Sequence, residues 1–290
     1  MDQAIADVEM SDADFEEFTR KREPVLQKTV IFAISEKGGV GKTTFCRGWL
    51  DIARGRGNRV AAYDADGTVG QLLRFYGTRK AGSTEECAEV QDPLVGVGYF
   101  SVRNEAQRDT LLNIANSTME ADYLIVDLPG GSTNDVRQIL GNTRLLIDDY
   151  VAAGWRVIIA VVIDHLKTSP VMVVNAPLLF GPHCEYVVVK NCSGADPDDF
   201  LAYEGYETMS GEMKYGKAKQ VMEKVGGSVV AMPKLAGRTY GLIDMENLTF
   251  SQAAVDGGRL MKADSSRTAG WLRTFAANMR GTPIDPPERG

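Results

Sequence analysis

Glu36-Lys37-Gly38-Gly39-Val40-Gly41-Lys42-Thr43-Thr44 follows the apolar run Thr29-Val30-Ile31-Phe32-Ala33-Ile34, and its reading decides the rest of the chain. The run predicts a strand and Thr43 opens a helix, so the glycines occupy a strand-to-helix turn. Gly38, Gly39 and Gly41 let the backbone curl until successive N–H groups point inward at phosphate oxygens, and the dipole of the next helix adds partial positive charge. In that setting Lys42 reaches the β and γ phosphates of a nucleotide, and the hydroxyl of Thr43 is placed to hold Mg²⁺. Residues 38–44 (Gly38, Gly39, Val40, Gly41, Lys42, Thr43 and Thr44) are therefore read as a phosphate-binding loop.

The general pattern G-x-x-x-x-G-K-[ST] asks for glycine at position 36, where this chain has Glu36, and a second lysine, Lys37, stands inside the loop. Lys-Gly-Gly-Val-Gly-Lys-Thr-Thr resembles the deviant phosphate loop of the ParA/MinD family of partitioning and positioning ATPases, a branch that includes the nitrogenase iron protein. The resemblance implies that Lys37 crosses a dimer interface to the nucleotide of the opposite subunit. It further implies a homodimer closed around ATP.

The 290 residues, 44% of them hydrophobic, suffice for one sizeable core, and we read a single α/β domain over residues 25–281. Residues 1–24 form an acidic extension, read as a solvated tail, and 282–290 a proline-rich C-terminal tail. Net charge is −7, yet seven acids and one arginine fall within residues 1–20, leaving a body with 31 basic and 32 acidic residues. Global charge thus says little about nucleic acid; a local basic patch would be needed. Cys46, Cys87, Cys184 and Cys192 show neither a CxxC pair nor a disulfide framework, which fits a reducing cytoplasm. The N-terminus has no basic-then-apolar leader pattern, and no apolar run approaches the ~20 residues of a membrane span, so a soluble protein is expected.

From Thr29 onward strand and helix signals alternate, the pattern of a doubly wound, mostly parallel sheet flanked by helices. A helix is expected from Thr43 to about Arg56, then a strand over 59–63 ending in Asp64-Ala65-Asp66, where open α/β sheets bind ligands. A buried strand over 94–102 and a helix over 105–117 should follow. Tyr123-Leu124-Ile125-Val126 reads as a strand buried on both faces and delivers Asp127-Leu128-Pro129-Gly130-Gly131. An acid there can hold Mg²⁺, and the two glycines allow the loop to move around a γ-phosphate. A helix over 134–153 and strands over 156–163 and 186–189 come next, the last leading to Lys190-Asn191. A long polar helical stretch is expected over 197–225, a strand over 228–232 ending at Pro233, and a helix over 265–280.

The resemblance extends through these segments. It implies that Asp66 orients the attacking water, that Asp64 has a magnesium or loop-positioning role, and that Asp127 opens a switch segment and binds the metal. Asn191 is implied to contact the adenine base. Pro233 stays open between lying along the adenine and merely ending its strand. Asp64 and Asp66 are alternatively read as caps of a helix near 69–76. The chain departs from the family in having Gly67-Thr68 where Pro-Gln is usual.

The implied function is that of a Mg²⁺-dependent ATPase, with Lys37, Lys42, Asp66 and Asp127 as catalytic residues, whose hydrolysis switches the binding of partners. Such proteins position plasmid DNA or other cargo by binding nonspecific DNA, with an adaptor or activating protein, or find membranes through a C-terminal helix. DNA leads here because the 265–280 helix carries the apolar stripe a core helix needs and few basic residues. Lys214, Lys217, Lys219 and Lys224 are the basic candidates for DNA, or else an ordinary solvated face. The rival class is a metabolic ligase or kinase on the same scaffold, which would need an acceptor pocket. An iron–sulfur role would need a cysteine near the switch segment, and residues 127–135 contain none.

Overall fold

Residues 28–67, 70–83, 86–131 and 142–289 are described by the computed structural model of the chain. The acidic 1–24 extension, Thr68 and the first part of the expected 134–153 helix lie outside the described residues.

Seven strands form one parallel sheet: β1 (Lys28–Ile34), β2 (Val60–Asp64), β3 (Gly98–Tyr99), β4 (Tyr123–Asp127), β5 (Trp155–Ile163), β6 (Glu185–Asn191) and, last in the chain, β9 (Ser228–Met232), in the spatial order β3-β2-β4-β1-β5-β6-β9. β1 is central. The chain runs outward from it to β2 and β3, returns to β4, then crosses to β5, β6 and β9. The loop after β1 therefore sits at the point where the winding reverses, the crevice that such sheets use for ligands.

The apolar runs are continuous because β1, β4 and β5 have strands on both sides and helices on both faces. Alternate residues feed separate cores. Val30, Phe32 and Ile34 join one with Leu124 and Val126; Ile31 and Ala33 join the other with Trp49, Trp271 and Phe275.

Among the described residues the helices are α1 (Lys42–Gly55), α2 (Gln71–Tyr76), α3 (Thr110–Ser117), α4 (Thr143–Ala152), α5 (Val171–Phe180), α6 (Leu201–Glu204), α7 (Lys217–Lys224), α8 (Gly237–Met245), α9 (Phe250–Ala253) and α10 (Lys262–Met279). α1 packs through a buried cation: the Arg47 guanidinium lies 3.5 Å from the Phe75 ring centroid and 4.4 Å from that of Phe250. A desolvated cation–π contact of this kind contributes about 2 kcal/mol.

Three expectations need correction. The 94–102 segment is a two-residue strand, β3, preceded by a turn in which Val95 and Gly96 N–H groups bond to Asp92 O, a local alternative to the ladder. The 105–117 helix begins at Thr110, after turns anchored on Asn104 O. The 197–225 stretch is not one helix. It is a 3₁₀ turn at Pro197–Asp199, the short α6, an antiparallel hairpin of β7 (Gly205–Glu207) and β8 (Met213–Tyr215), and α7. Gly205 sets the break: its φ is +97°, and a Cβ there would lie 2.3 Å from the Lys214 carbonyl oxygen. Lys214, Lys217, Lys219 and Lys224 thus share no helical stripe, and Lys219 is ion-paired to Glu204 at 2.7 Å.

α10 is a core element, with Trp271, Phe275 and Met279 buried. Residues 282–289 dock on the α1 side: Ile284 is fully buried, its carbonyl accepts the Trp49 indole N–H at 2.7 Å, and Arg56 pairs with Asp285 at 2.8 Å. Among the described residues no helix is long and apolar enough to cross a membrane.

Candidate nucleotide site

Between β1 and α1 the loop turns through Gly39 (φ +80°) and Gly41 (φ +98°), a left-handed conformation that disfavours any Cβ. Gly41 is the N-cap of α1 and supplies no capping side chain, and the first turn contains no acid. The first N–H groups of the helix are therefore left to whatever anion the loop receives. Gly38 and Gly39 are exposed, so the cradle opens to solvent.

Lys42 is buried at the base of the loop, at 7% exposure. Thr43 Oγ1 donates to Asp127 Oδ2 at 2.6 Å, which brings together two of the three residues expected to hold a metal, Asp64 being the third. Asp127 Oδ1 is buried and has no hydrogen-bond partner among the described residues. Burial pushes the Asp127 carboxyl up, with the charge of Lys42 and the Thr43 hydrogen bond pulling the other way. An orphaned carboxylate oxygen beside a threonine hydroxyl fits a hard divalent cation, which takes oxygen ligands. No cluster of three His, Cys, Asp or Glu occurs among the described residues, so such a cation would depend on phosphate oxygens as well.

Asp64 and Asp127 face each other in the β2–β4 register. Burial and then the neighbouring Asp127 charge push Asp64 up to about 7. Its oxygens are already used: Oδ1 accepts the Asp66 N–H at 3.1 Å and Oδ2 the Leu73 N–H at 3.0 Å. Gly70, the N-cap of α2, has no side chain, and Asp64 caps that helix from the strand end instead. The structure thus gives Asp64 a loop-positioning contact.

Asp66 lies beyond the strand end with its side chain 45% exposed, 3.6 Å from Arg103 Nη1. Arg103 Nη2 also donates to the Gly130 carbonyl at 3.0 Å. Gly130 presses on the phosphate loop so closely that a Cβ would sit 2.5 Å from Gly38 N, which is why glycine is required there.

Lys37 points elsewhere than Lys42. Its side chain is 39% exposed, and its ammonium pairs with Asp164 at the end of β5 at 3.3 Å. Asn191 stands behind the loop: its amide donates to Val40 O at 2.9 Å, and a Cβ on Gly41 would meet it at 2.3 Å. Pro233 follows Met232, which is the register partner of Asn191, so both residues reach one edge; the Pro233 carbonyl accepts the Trp271 indole N–H at 2.6 Å. Thr44 Oγ1 lies 3.0 Å from the Tyr240 hydroxyl.

Arg103, Asp164 and Tyr240 escape a reading by motif because the fold brings them in from distant segments. Asp164 alone carries a sequence signal, an acid at the end of an apolar strand.

The model of the CobQ/CobB/MinD/ParA nucleotide binding domain matches residues 31–280. Among solved structures, the chain is similar to the MinD cell division protein of Aquifex aeolicus at 15% identity and a TM-score of 0.46, over 86% of this chain and 97% of that one. It is similar to the septum site-determining protein MinD complexed with Mg-ADP from Pyrococcus horikoshii at 12% identity and a TM-score of 0.46, over 89% and 98%. A putative plasmid partition protein of Borrelia burgdorferi bound to AMPPNP aligns at 14% identity and a TM-score of 0.44, over 87% and 99%. No curated protein matches the chain.

Proposed function

The chain belongs to the CobQ/CobB/MinD/ParA nucleotide-binding family, and from that premise we propose that it is a Mg²⁺-dependent ATPase that closes as an ATP-sandwich homodimer. The observation that carries this reading is the divergence of the two loop lysines. Lys42 is buried at the base of the cradle, whereas Lys37 is turned to the rim and held by a single carboxylate. A lysine needed inside its own site has no reason to be parked there. A lysine that serves a partner's nucleotide does.

In this reading the N–H groups of residues 38–44 bind phosphate oxygens, Lys42 meets the β and γ phosphates, and Asn191 and Pro233 form the adenine edge. Thr43 and Asp127 would hold Mg²⁺, which when bound would supply positive charge against that of the phosphates. Asp66 orients water in line with the γ-phosphorus; the new P–O bond forms as the bond to the bridging oxygen breaks, releasing ADP and phosphate.

The finer role is cytoplasmic positioning of plasmid DNA or another cargo through nonspecific DNA, with an adaptor protein that stimulates hydrolysis. Burial of the apolar side of α10 supports DNA over a membrane, since that helix would have to unpack to reach lipid. Size-exclusion chromatography with ADP and with ATP tests the switch: a dimer with ATP and a monomer with ADP is the expected result. A nucleotide-independent monomer that consumes ATP only with a small-molecule acceptor would favour a ligase or kinase instead.

A further inference from the structure

We infer that Arg103 is a positioning residue that couples Asp66 to the Gly130 switch loop; this rests on the role proposed above for Asp66. Past the strand ends, residues 64–67 and 100–102 zip together, with Gly67 N bonded to Phe100 O at 3.0 Å and Val102 N to Ala65 O at 3.2 Å. Asp66 and Ser101 form an isolated bridge. The Arg103 backbone is thereby anchored to the segment that carries Asp66.

Among the described residues its guanidinium reaches both the Asp66 carboxylate, at 3.6 Å, and the Gly130 carbonyl, at 3.0 Å. Arg103 and Asp66 are each about half exposed, and an ion pair so placed adds little to stability. The Asp66 pair by itself therefore does little for folding, while the site gives it a use. Gly130 rests against Gly38, so a phosphate entering the cradle meets the loop that Arg103 holds. Any displacement of that carbonyl moves the planar guanidinium fork or costs it a bond, and the carboxylate paired to the fork moves with it. The position of the Asp66 carboxylate is thus tied to the state of the switch loop, and water is oriented only when both are in place.

The test compares ATP turnover and thermal stability in the full chain and its variants. Arg103→Ala should lower kcat at least about tenfold, leaving KM for ATP within about twofold and Tm unchanged. Arg103→Lys keeps a charge for Asp66 but lacks the fork, and should fall between the two. In an Asp66→Ala background, Arg103→Ala should add no further loss, because residues acting through one another are not additive. Arg103→Ala at the parent rate beside a slow Asp66→Ala overturns the coupling alone. So does Arg103→Lys at the parent rate, or a double variant whose losses multiply. Asp66→Ala at the parent rate, or no hydrolysis by the parent, removes the underlying reading and the coupling with it.

Discussion

Lys42 and Lys37 occupy one loop, and their different surroundings give them separable phenotypes. Lys42→Ala removes a buried point charge from the cradle, and nucleotide affinity or turnover should fall by about a hundredfold or more; equilibrium nucleotide binding checks it, and parent-like values would sink the phosphate-loop assignment. Lys37→Ala should leave monomer binding intact and abolish the ATP-dependent dimer, read by size exclusion. Asp164→Asn tests the parking contact from the other side: it frees Lys37, and the dimer should form at lower ATP concentration. Asp66→Ala should slow hydrolysis and accumulate the ATP-bound dimer, because water orientation matters at the chemical step alone. At this scale much of the candidate site was legible in consecutive residues, since a phosphate loop and strand-end acids carry their chemistry in local pattern. Asp64 was legible as either metal ligand or cap, and only the missing side chain at Gly70 shows why a strand-end acid is used to cap α2. Arg103 and Tyr240 were not legible because tertiary contact gives them their place, and Asp164 was legible only as an acid at the end of an apolar strand.

The elements divide in the same way. Sheet strands such as β1, β4 and β5 were readable as near-continuous apolar runs, a direct result of burial on both faces. The hairpin of β7 and β8 was not, because its strands are only three residues long, Tyr206, Met213 and Tyr215 are exposed rather than on a core face, and its turn rests on glycine geometry rather than on a hydrophobic period. α5 escaped because it is apolar nearly all round and contains Pro177, so no amphipathic stripe announces it. α8 and α10 are joined by Asp264, which is buried and accepts from Thr239 at 2.7 Å and Arg238 at 3.0 Å. The Thr239 hydrogen bond, with Arg238 and Arg267 against the cost of burial, holds its carboxyl below the ordinary value of 3.8. A group depressed in the fold adds stability that is present above its unfolded pKa and lost as pH falls through the folded one. Asp264→Asn should therefore lower Tm at pH 7, and the gap to the parent should close as pH falls below the ordinary carboxylate value of 3.8 and through the depressed folded one; a gap that persists in acid would locate the effect in packing. The docked C-terminal residues behave as part of the body, and Ile284→Ala should cost about 2–4 kcal/mol in denaturant unfolding.

At the scale of the whole molecule the open issue is which surface the ATP-bound form meets, and charge decides what to expect. The stretch over 201–224 carries four lysines answered by four glutamates, and one of those lysines is already paired to Glu204. A monomer offering that surface has no local excess of positive charge, so it should bind DNA weakly at physiological salt. If the protein works on DNA, the basic surface has to come from the juxtaposition of two subunits, which makes ATP a requirement rather than an enhancer. The predicted result is that DNA binding, followed by fluorescence anisotropy with a random duplex, appears with ATP, is absent with ADP, and is lost in Lys37→Ala. Its affinity should fall steeply between about 50 and 200 mM salt, because each phosphate contact releases a counterion. Liposomes test the other surface. With Trp271, Phe275 and Met279 in the core, anionic vesicles should capture neither the ADP nor the ATP form, since freeing that face would expose the cluster that holds α10 on α1 and β9. ATP-dependent vesicle binding by a chain of unchanged Tm, with no DNA binding at low salt, would reverse the choice of surface and leave the lysine, aspartate and threonine assignments standing.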